Sequence, residues 1–325
     1  MENLSKKILL TGATGFVGGA ILRYLSDRQE YSVRVATRTR SAFSGAAYDS
    51  VLFDDLNSTQ SWTHALDGVD VVIHSAARVH VMTETALDPL SEFRKVNVEG
   101  TLNLASQSAA SGVKRFIFIS SIKVNGEETT LGNQYTADGP VQPVDEYGIS
   151  KFEAESGLLK ISTETGMEVV IIRPVLVYGP GVKANFLSMM KFVDKGIPLP
   201  FSSIDNKRSF VSLENLVDFI ALCTRHPAAA NQVFLVSDGE DLSTPELLEK
   251  MAKALGKKAT LLPFPVSLMR GIARLLGKEK ITDRLCGSLE VDISKNRELL
   301  GWIPPVSVDN ALLNTAKHYL GTRNP

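Results

Sequence analysis

The stretch LLTGATGFVGG at residues 9–19 constrains the fold more than any other part of the chain. An apolar run breaks at Gly12, Gly15 and Gly18, spaced three apart, and a helix-period pattern of Val17, Ala20, Ile21 and Leu25 follows. A glycine-rich turn between a buried strand and a helix lets backbone amides approach a pyrophosphate, and the helix N-terminus adds partial positive charge. Upstream, KKILL reads as the strand that such a dinucleotide loop requires. The spacing is GxxGxxG, one residue longer at the first gap than the common form, so the glycines alone also fit a plain strand-to-helix turn.

Further β-branched runs recur as SVRVAT (32–37), DVVIHSA (70–76), RFIFIS (115–120) and EVVIIRP (168–174). They read as strands buried on both faces, with helical stretches at 90–110 and 147–165 between them. This order predicts an α/β fold, a doubly wound parallel sheet, with ligands at the carboxyl ends of the strands. From about residue 181 the pattern turns irregular, which suits a smaller lobe closing over a substrate. The expected division is a dinucleotide-binding domain over 1–180 and a substrate-binding lobe over 181–325, with some later segments returning to the first.

The net charge of −1 over 325 residues suggests no nucleic-acid or membrane partner. Cys223 and Cys286 are unclustered, poor material for a disulfide framework or a metal site. With no run of 18 apolar residues, a soluble cytoplasmic protein is expected. The basic apolar segment FPVSLMRGIARLLGKEK (264–280) reads as a lobe helix with one buried stripe rather than a helix lying on a membrane.

The segment YGISK carries the chemistry. Tyr147 and Lys151 stand at i and i+4, so on a helix a phenol lies beside an ammonium. Positive charge from the lysine and an oxidised nicotinamide favours the phenolate of a group whose ordinary pKa is about 10, which makes Tyr147 a usable acid and base. The strand RFIFIS ends in Ser120 and Ser121, where a hydroxyl can hold the oxygen of the reacting carbon.

Taken in order, these motifs resemble the extended short-chain dehydrogenases/reductases, in the branch of NAD(P)-dependent nucleotide-sugar epimerases, dehydratases and reductases. The resemblance spans essentially the whole chain and implies a Rossmann fold. It places the catalytic serine at Ser121, from SSIKVNG, with Tyr147 and Lys151 matching YxxxK. TGATGFVG matches the phosphate loop, which assigns Gly12, Gly15, Phe16, Val17 and Gly18 to the cofactor. DDL places adenine contact at Asp55 and Leu56, HSAA places the adjoining loop at Ala76 and Ala77, and NVEGT supplies Asn97. RPVLVYGPG brings Pro174 past the nicotinamide.

For the substrate, the resemblance implies uridine contacts at Leu199 and Phe201, and a diphosphate contact at Arg208, joined by Asn185 and, with less weight, Arg284. Lys123 either contacts substrate or solvates its loop. SSIKVNGE looks most like bacterial enzymes acting on UDP-linked 4-keto-6-deoxy-N-acetylhexosamines, which implies reduction of a C4 ketone, with 4-epimerisation as the alternative. Dehydration is disfavoured because Ile122 and Lys123 stand where family dehydratases carry Asp-Glu. A steroid or flavonoid reductase has no use for Arg208, and a non-catalytic scaffold has none for the Ser/Tyr/Lys set. Thr37, Arg38, Thr39 and Arg40 stand where an NAD enzyme carries an acidic residue, so NADP(H) is favoured, NAD(H) being the choice if Arg38 only stacks on adenine. A homodimer is expected from the resemblance, through the helices at 90–110 and 147–165.

Overall fold

A computed structural model describes residues 5–39, 48–79, 88–277 and 279–322. The first half runs β1 (Lys6–Thr11), α1 (Phe16–Ser26), β2 (Tyr31–Thr37), β3 (Asp49–Leu52), α2 (Thr63–Leu66), β4 (Val71–His74), α3 (Pro89–Arg94), α4 (Thr101–Ala110), β5 (Arg115–Ile119), α5 (Glu146–Thr165) and β6 (Glu168–Pro174). The second half runs β7 (Leu176–Tyr178), α6 (Ala184–Asp194), β8 (Phe210–Ser212), α7 (Leu213–Cys223), β9 (Gln232–Val236), α8 (Thr244–Ala254), α9 (Val266–Leu275), α10 (Glu279–Cys286), α11 (Ser294–Leu300) and α12 (Val308–Gly321).

Seven parallel strands form one sheet in the order β3-β2-β1-β4-β5-β6-β9. Strand periodicity sends alternate residues to opposite faces. Ile8, Leu10, Ile117, Val170 and Ile172 pack with Ile21, Leu25, Leu216 and Phe219 of α1 and α7. Leu9, Phe116, Phe118, Val169 and Ile171 pack on the other face with Leu104 and Ala105 of α4 and Ala154 and Leu158 of α5. The central strands β4 and β5 are buried along their whole length because both faces are covered, whereas the edge strand β3 is largely exposed. The chain reverses direction across the sheet between β1 and β4, so the crevice for a ligand opens above the loops that follow those two strands.

The five strands read from the sequence form with small shifts at their ends; α7 packs on the same sheet and β9 joins it beside β6. A third core, built from Tyr178, Phe186, Met190, Phe210, Leu248, Met251, Ala311 and Leu312, holds the lobe together around the two-stranded β7–β8 sheet. The stretch read as one helix over 90–110 is α3 and α4 joined by a π-helical turn at Lys95–Gly100. Gly100 explains the close packing there: a Cβ would lie 2.7 Å from the carbonyl carbon and oxygen of Leu56.

The segment 264–280 departs from expectation. Within α9 only Ala273 is buried, while Leu268, Ile272 and Leu275 are exposed, so the stripe predicted to be buried mostly faces outward. Among the described residues, no helix is long and apolar enough to cross a membrane.

Candidate active site

The loop between β1 and α1 is closed by its glycines. Gly12 adopts φ 76°, in the left-handed region that favours glycine, and a Cβ there would sit 2.6 Å from the Ala76 nitrogen. A Cβ on Gly18 would fall 2.1 Å from the Gly12 carbonyl oxygen, so α1 packs against the loop only because residue 18 lacks one. Gly15 is the N-cap of α1 and supplies no side-chain cap, which leaves the first-turn amides, including those of Phe16 and Val17, for an anion. Ser75 Oγ donates to the Thr11 carbonyl at 2.7 Å, tying the loop after β4 to the end of β1 beside Ala76 and Ala77. This crowded, amide-rich turn fits the pyrophosphate of a dinucleotide.

Leu56 is buried, whereas Asp55 is exposed and accepts from the Leu56 amide at 2.8 Å. Arg38 is exposed immediately after β2, and Arg40 lies outside the described residues. Pro174 ends β6 opposite Val236 of β9. Asn97, in the π turn, accepts from the Arg78 amide at 2.8 Å and donates to the Arg78 carbonyl at 3.0 Å, fixing the segment after Ala77. Its amide also donates to Ser150 Oγ on α5 at 3.0 Å.

The start of α5 positions Tyr147 and Lys151. Asp145 is its N-cap: one carboxylate oxygen accepts from the Gly148 amide at 2.7 Å and the other from Lys123 Nζ. Lys123 also donates to Glu127 at 2.9 Å, so it joins the turn after Ser121 to the helix carrying Tyr147. Gly148 permits that approach, because a Cβ there would lie 2.8 Å from the Lys123 carbonyl oxygen.

Lys151 is 2% exposed; its Nζ donates to the Ile119 carbonyl at 2.7 Å and lies 4.1 Å from the Phe118 ring centroid and 6.0 Å from that of Tyr147. Burial pulls its pKa down to about 7, with the Glu155 charge opposing. Burial pushes the Tyr147 phenol above its ordinary value, and Asp145 adds to the shift. The phenol therefore ionises only when positive charge is brought against it. The Tyr147 ring meets Phe93 edge-on at 6.1 Å.

The two serines that end β5 separate cleanly. Ser120 is buried and donates to Glu155, which is locked to Arg173 at 2.6 Å, and Arg173 donates to Asn125 at 3.0 Å. Ser121 is only partly buried and caps the short turn 122–124, accepting from the Lys123 amide at 3.3 Å, so its hydroxyl is the one left for a ligand.

Sequence reasoning passed over His74 and the Glu155–Arg173 pair. His74 shares hydrogen bonds with Thr11 Oγ1 at 2.7 Å and Thr101 Oγ1 at 2.9 Å, and burial holds its pKa at about 3, helped by the charge of Lys151. It is a neutral bridge between the end of β1 and α4. The only sequence trace of either feature is a polar residue inside an apolar strand or helix face.

In the lobe, Leu199 bridges to Leu261, and the Leu199 amide donates to Thr260 O at 2.9 Å. The Phe201 amide donates back to Leu199 O at 2.9 Å. Arg208 donates to Gly287 O at 2.9 Å and is half-buried. Burial lowers its pKa; Glu128 opposes that shift and Arg284 reinforces it. Arg284, given little weight from sequence, thus acts on Arg208 from α10. Asn185 is exposed in the first turn of α6.

A model of the NAD dependent epimerase/dehydratase family matches residues 8–237. The chain is 49% identical over 326 residues to UDP-glucose 4-epimerase of Vibrio cholerae, covering 99% of this chain and 98% of that one. It is 26% identical over 332 residues to N-acetyl-alpha-D-glucosaminyl-diphospho-ditrans,octacis-undecaprenol 4-epimerase of Escherichia coli O157:H7, covering 97% and 96%. The crystal structure of UDP-glucuronic acid 4-epimerase from Bacillus cereus in complex with NAD shares the fold, with TM-score 0.77 at 20% identity over 97% of this chain and 99% of that one. On the family match, the long full-length likeness and the site just described, the chain is an enzyme that belongs to the NAD dependent epimerase/dehydratase family.

Proposed function

We propose that the protein is a 4-epimerase of a UDP-linked hexose that works with NAD. What supports this reading is Ser121 at the end of β5, Tyr147 and Lys151 one turn apart on α5, and the crowded glycine loop after β1, in a chain 49% identical to a UDP-glucose 4-epimerase over nearly its whole length. Gly12, Gly15, Phe16, Val17 and Gly18 would hold the pyrophosphate of the cofactor, and Asp55, Leu56, Ala76, Ala77 and Pro174 would line its path. A nicotinamide cofactor bound there would supply reversible hydride transfer at C4.

The chain's own residues handle the oxygen and the proton. Ser121 holds the C4 oxygen by a hydrogen bond. Tyr147 takes the C4 hydroxyl proton as a base and gives it back as an acid. Lys151 binds the nicotinamide ribose, and its ammonium counters the burial that opposes the phenolate. Lys123 neutralises Asp145, which would otherwise raise the phenol further. Arg208 and Arg284 anchor the diphosphate while the sugar turns, with Leu199 and Phe201 against the base and Asn185 at the rim. The outward faces of α4 and α5 are the proposed homodimer contact.

Reduction of a 4-keto sugar at the same residues is the second reading. Arg38 favours it, since a guanidinium in place of an acid after β2 suits the 2′-phosphate of NADPH. The two readings separate on incubation with UDP-glucose and with UDP-N-acetylglucosamine, with added NAD and without, and with the 4-keto-6-deoxy derivative of UDP-N-acetylglucosamine plus NADPH. An epimerase interconverts the C4 epimers with no net change in nicotinamide absorbance. NADPH consumption matched to the loss of a 4-keto sugar, with no epimer formed, would overturn the proposal.

A further inference from the structure

We propose that the exposed apolar face of α9 docks on the surface of an anionic lipid bilayer. Helical spacing places Leu275, Leu268, Ile272 and Leu276 within an arc of about 100°. All four are exposed, Leu275 at 87% and Leu276 at 64%. Leu262, just upstream, adds a further exposed apolar side chain. The helix is fixed along one flank, where Ala273 is buried and Met269 Sδ meets the Cys286 thiol of α10 at 3.7 Å. The leucines are therefore held outward by a formed helix.

The remaining arc carries Arg270 and Arg274, the latter paired with Glu279 at 2.8 Å. Over 264–280 the sequence holds Arg270, Arg274, Lys278 and Lys280 against Glu279 alone, a local charge of +3 in a chain of net charge −1. Leucines on one face and cations on the other is the pattern of a helix that lies in a headgroup layer. The charge selects the surface: anionic headgroups attract this segment, whereas a second copy presents the same cations to itself. Size argues the same way. Ten residues make a helix about 15 Å long and about 10 Å wide, too small alone for the roughly 800 Å² per partner of a stable protein interface.

Docking would also bear on the substrate cleft. α9 packs on α10, which ends at Cys286, and the next residue, Gly287, accepts from Arg208 through its carbonyl at 2.9 Å. The inference stands apart from which sugar is used.

The test is sedimentation of the full-length protein with vesicles of phosphatidylcholine alone and of phosphatidylcholine with phosphatidylglycerol. Wild type should pellet with the anionic vesicles, less so at high salt, and stay in solution with the neutral ones. Leu275→Glu/Leu276→Glu should bind anionic vesicles at least about tenfold more weakly, with melting temperature and sugar-nucleotide turnover unchanged. Wild type that ignores anionic vesicles, or a variant that binds as well as wild type, overturns the proposal. A solution mass that falls in the variant would show that a second copy covers the face, which also overturns it.

Discussion

Glu155 offers the sharpest test of how the site is supported. Its carboxylate is 2% exposed and accepts from Arg173 Nε at 3.0 Å, from Arg173 Nη2 at 2.6 Å and from Ser120. Glu155→Ala removes every one of those acceptors and strands a guanidinium that is itself 4% exposed. Breaking a buried pair from one side costs about 3–5 kcal/mol. An unfolding entropy of about 2.1 cal/mol/K per residue gives about 0.7 kcal/mol/K for 325 residues. Calorimetry should therefore show a melting temperature lower by about 4–7 °C. Replacing both partners, Glu155→Met with Arg173→Met, should recover most of that loss, because two apolar side chains leave no charge unpaired. The Glu155 charge also supports the ammonium of Lys151, so Glu155→Gln should lower the Lys151 pKa and move the alkaline limb of the kcat profile, where that ammonium loses its proton, to lower pH. An unchanged melting temperature in Glu155→Ala, or a double variant as damaged as the two single losses added, would refute the reasoning.

Three further outcomes follow from the geometry. Ser121→Ala should cut kcat at least about a hundredfold with little effect on melting, whereas Ser120→Ala should keep most turnover and lose about 1.5–3 kcal/mol of stability; the reverse pattern would put the substrate on Ser120. Lys151→Met should abolish turnover yet raise stability at neutral pH. The folded-state pKa of Lys151 lies near 7, below its ordinary 10.5, so the unfolded chain binds the extra proton between those values and wild-type stability rises there with pH. The melting advantage of the variant should thus shrink from pH 7 to pH 9 or so, and an advantage constant with pH would show that Lys151 is not buried as described. Arg208→Ala should raise the sugar-nucleotide KM about tenfold to a hundredfold and leave cofactor affinity alone; equal inhibition by UDP in both forms would remove Arg208 from the diphosphate.

What the sequence disclosed follows from the range of the interactions involved. Gly12 and Gly18 were legible because each answers a local steric demand, a positive φ or a missing Cβ. Tyr147 and Lys151 were legible because helical spacing alone puts them on one face. β9 lay in the stretch past residue 181 that read as irregular, since its pairing with β6 joins residues some sixty positions apart and leaves no local mark. The division of labour between Ser120 and Ser121 also hung on a distant group, Glu155 on α5. α9 showed its two faces in the sequence, but periodicity says that a face is apolar and not what covers it.

The central claim is that one hydride leaves C4 and returns to the same carbon while Tyr147 handles the proton. UDP-glucose carrying deuterium at C4 tests it most directly, with product followed by mass and NMR. The account predicts an epimerised product that keeps its deuterium at C4 in the presence of excess unlabelled nicotinamide cofactor, and no product from Tyr147→Phe. Loss of the label to the cofactor pool during turnover, or epimerisation by Tyr147→Phe at more than about a tenth of the wild-type rate, would contradict it.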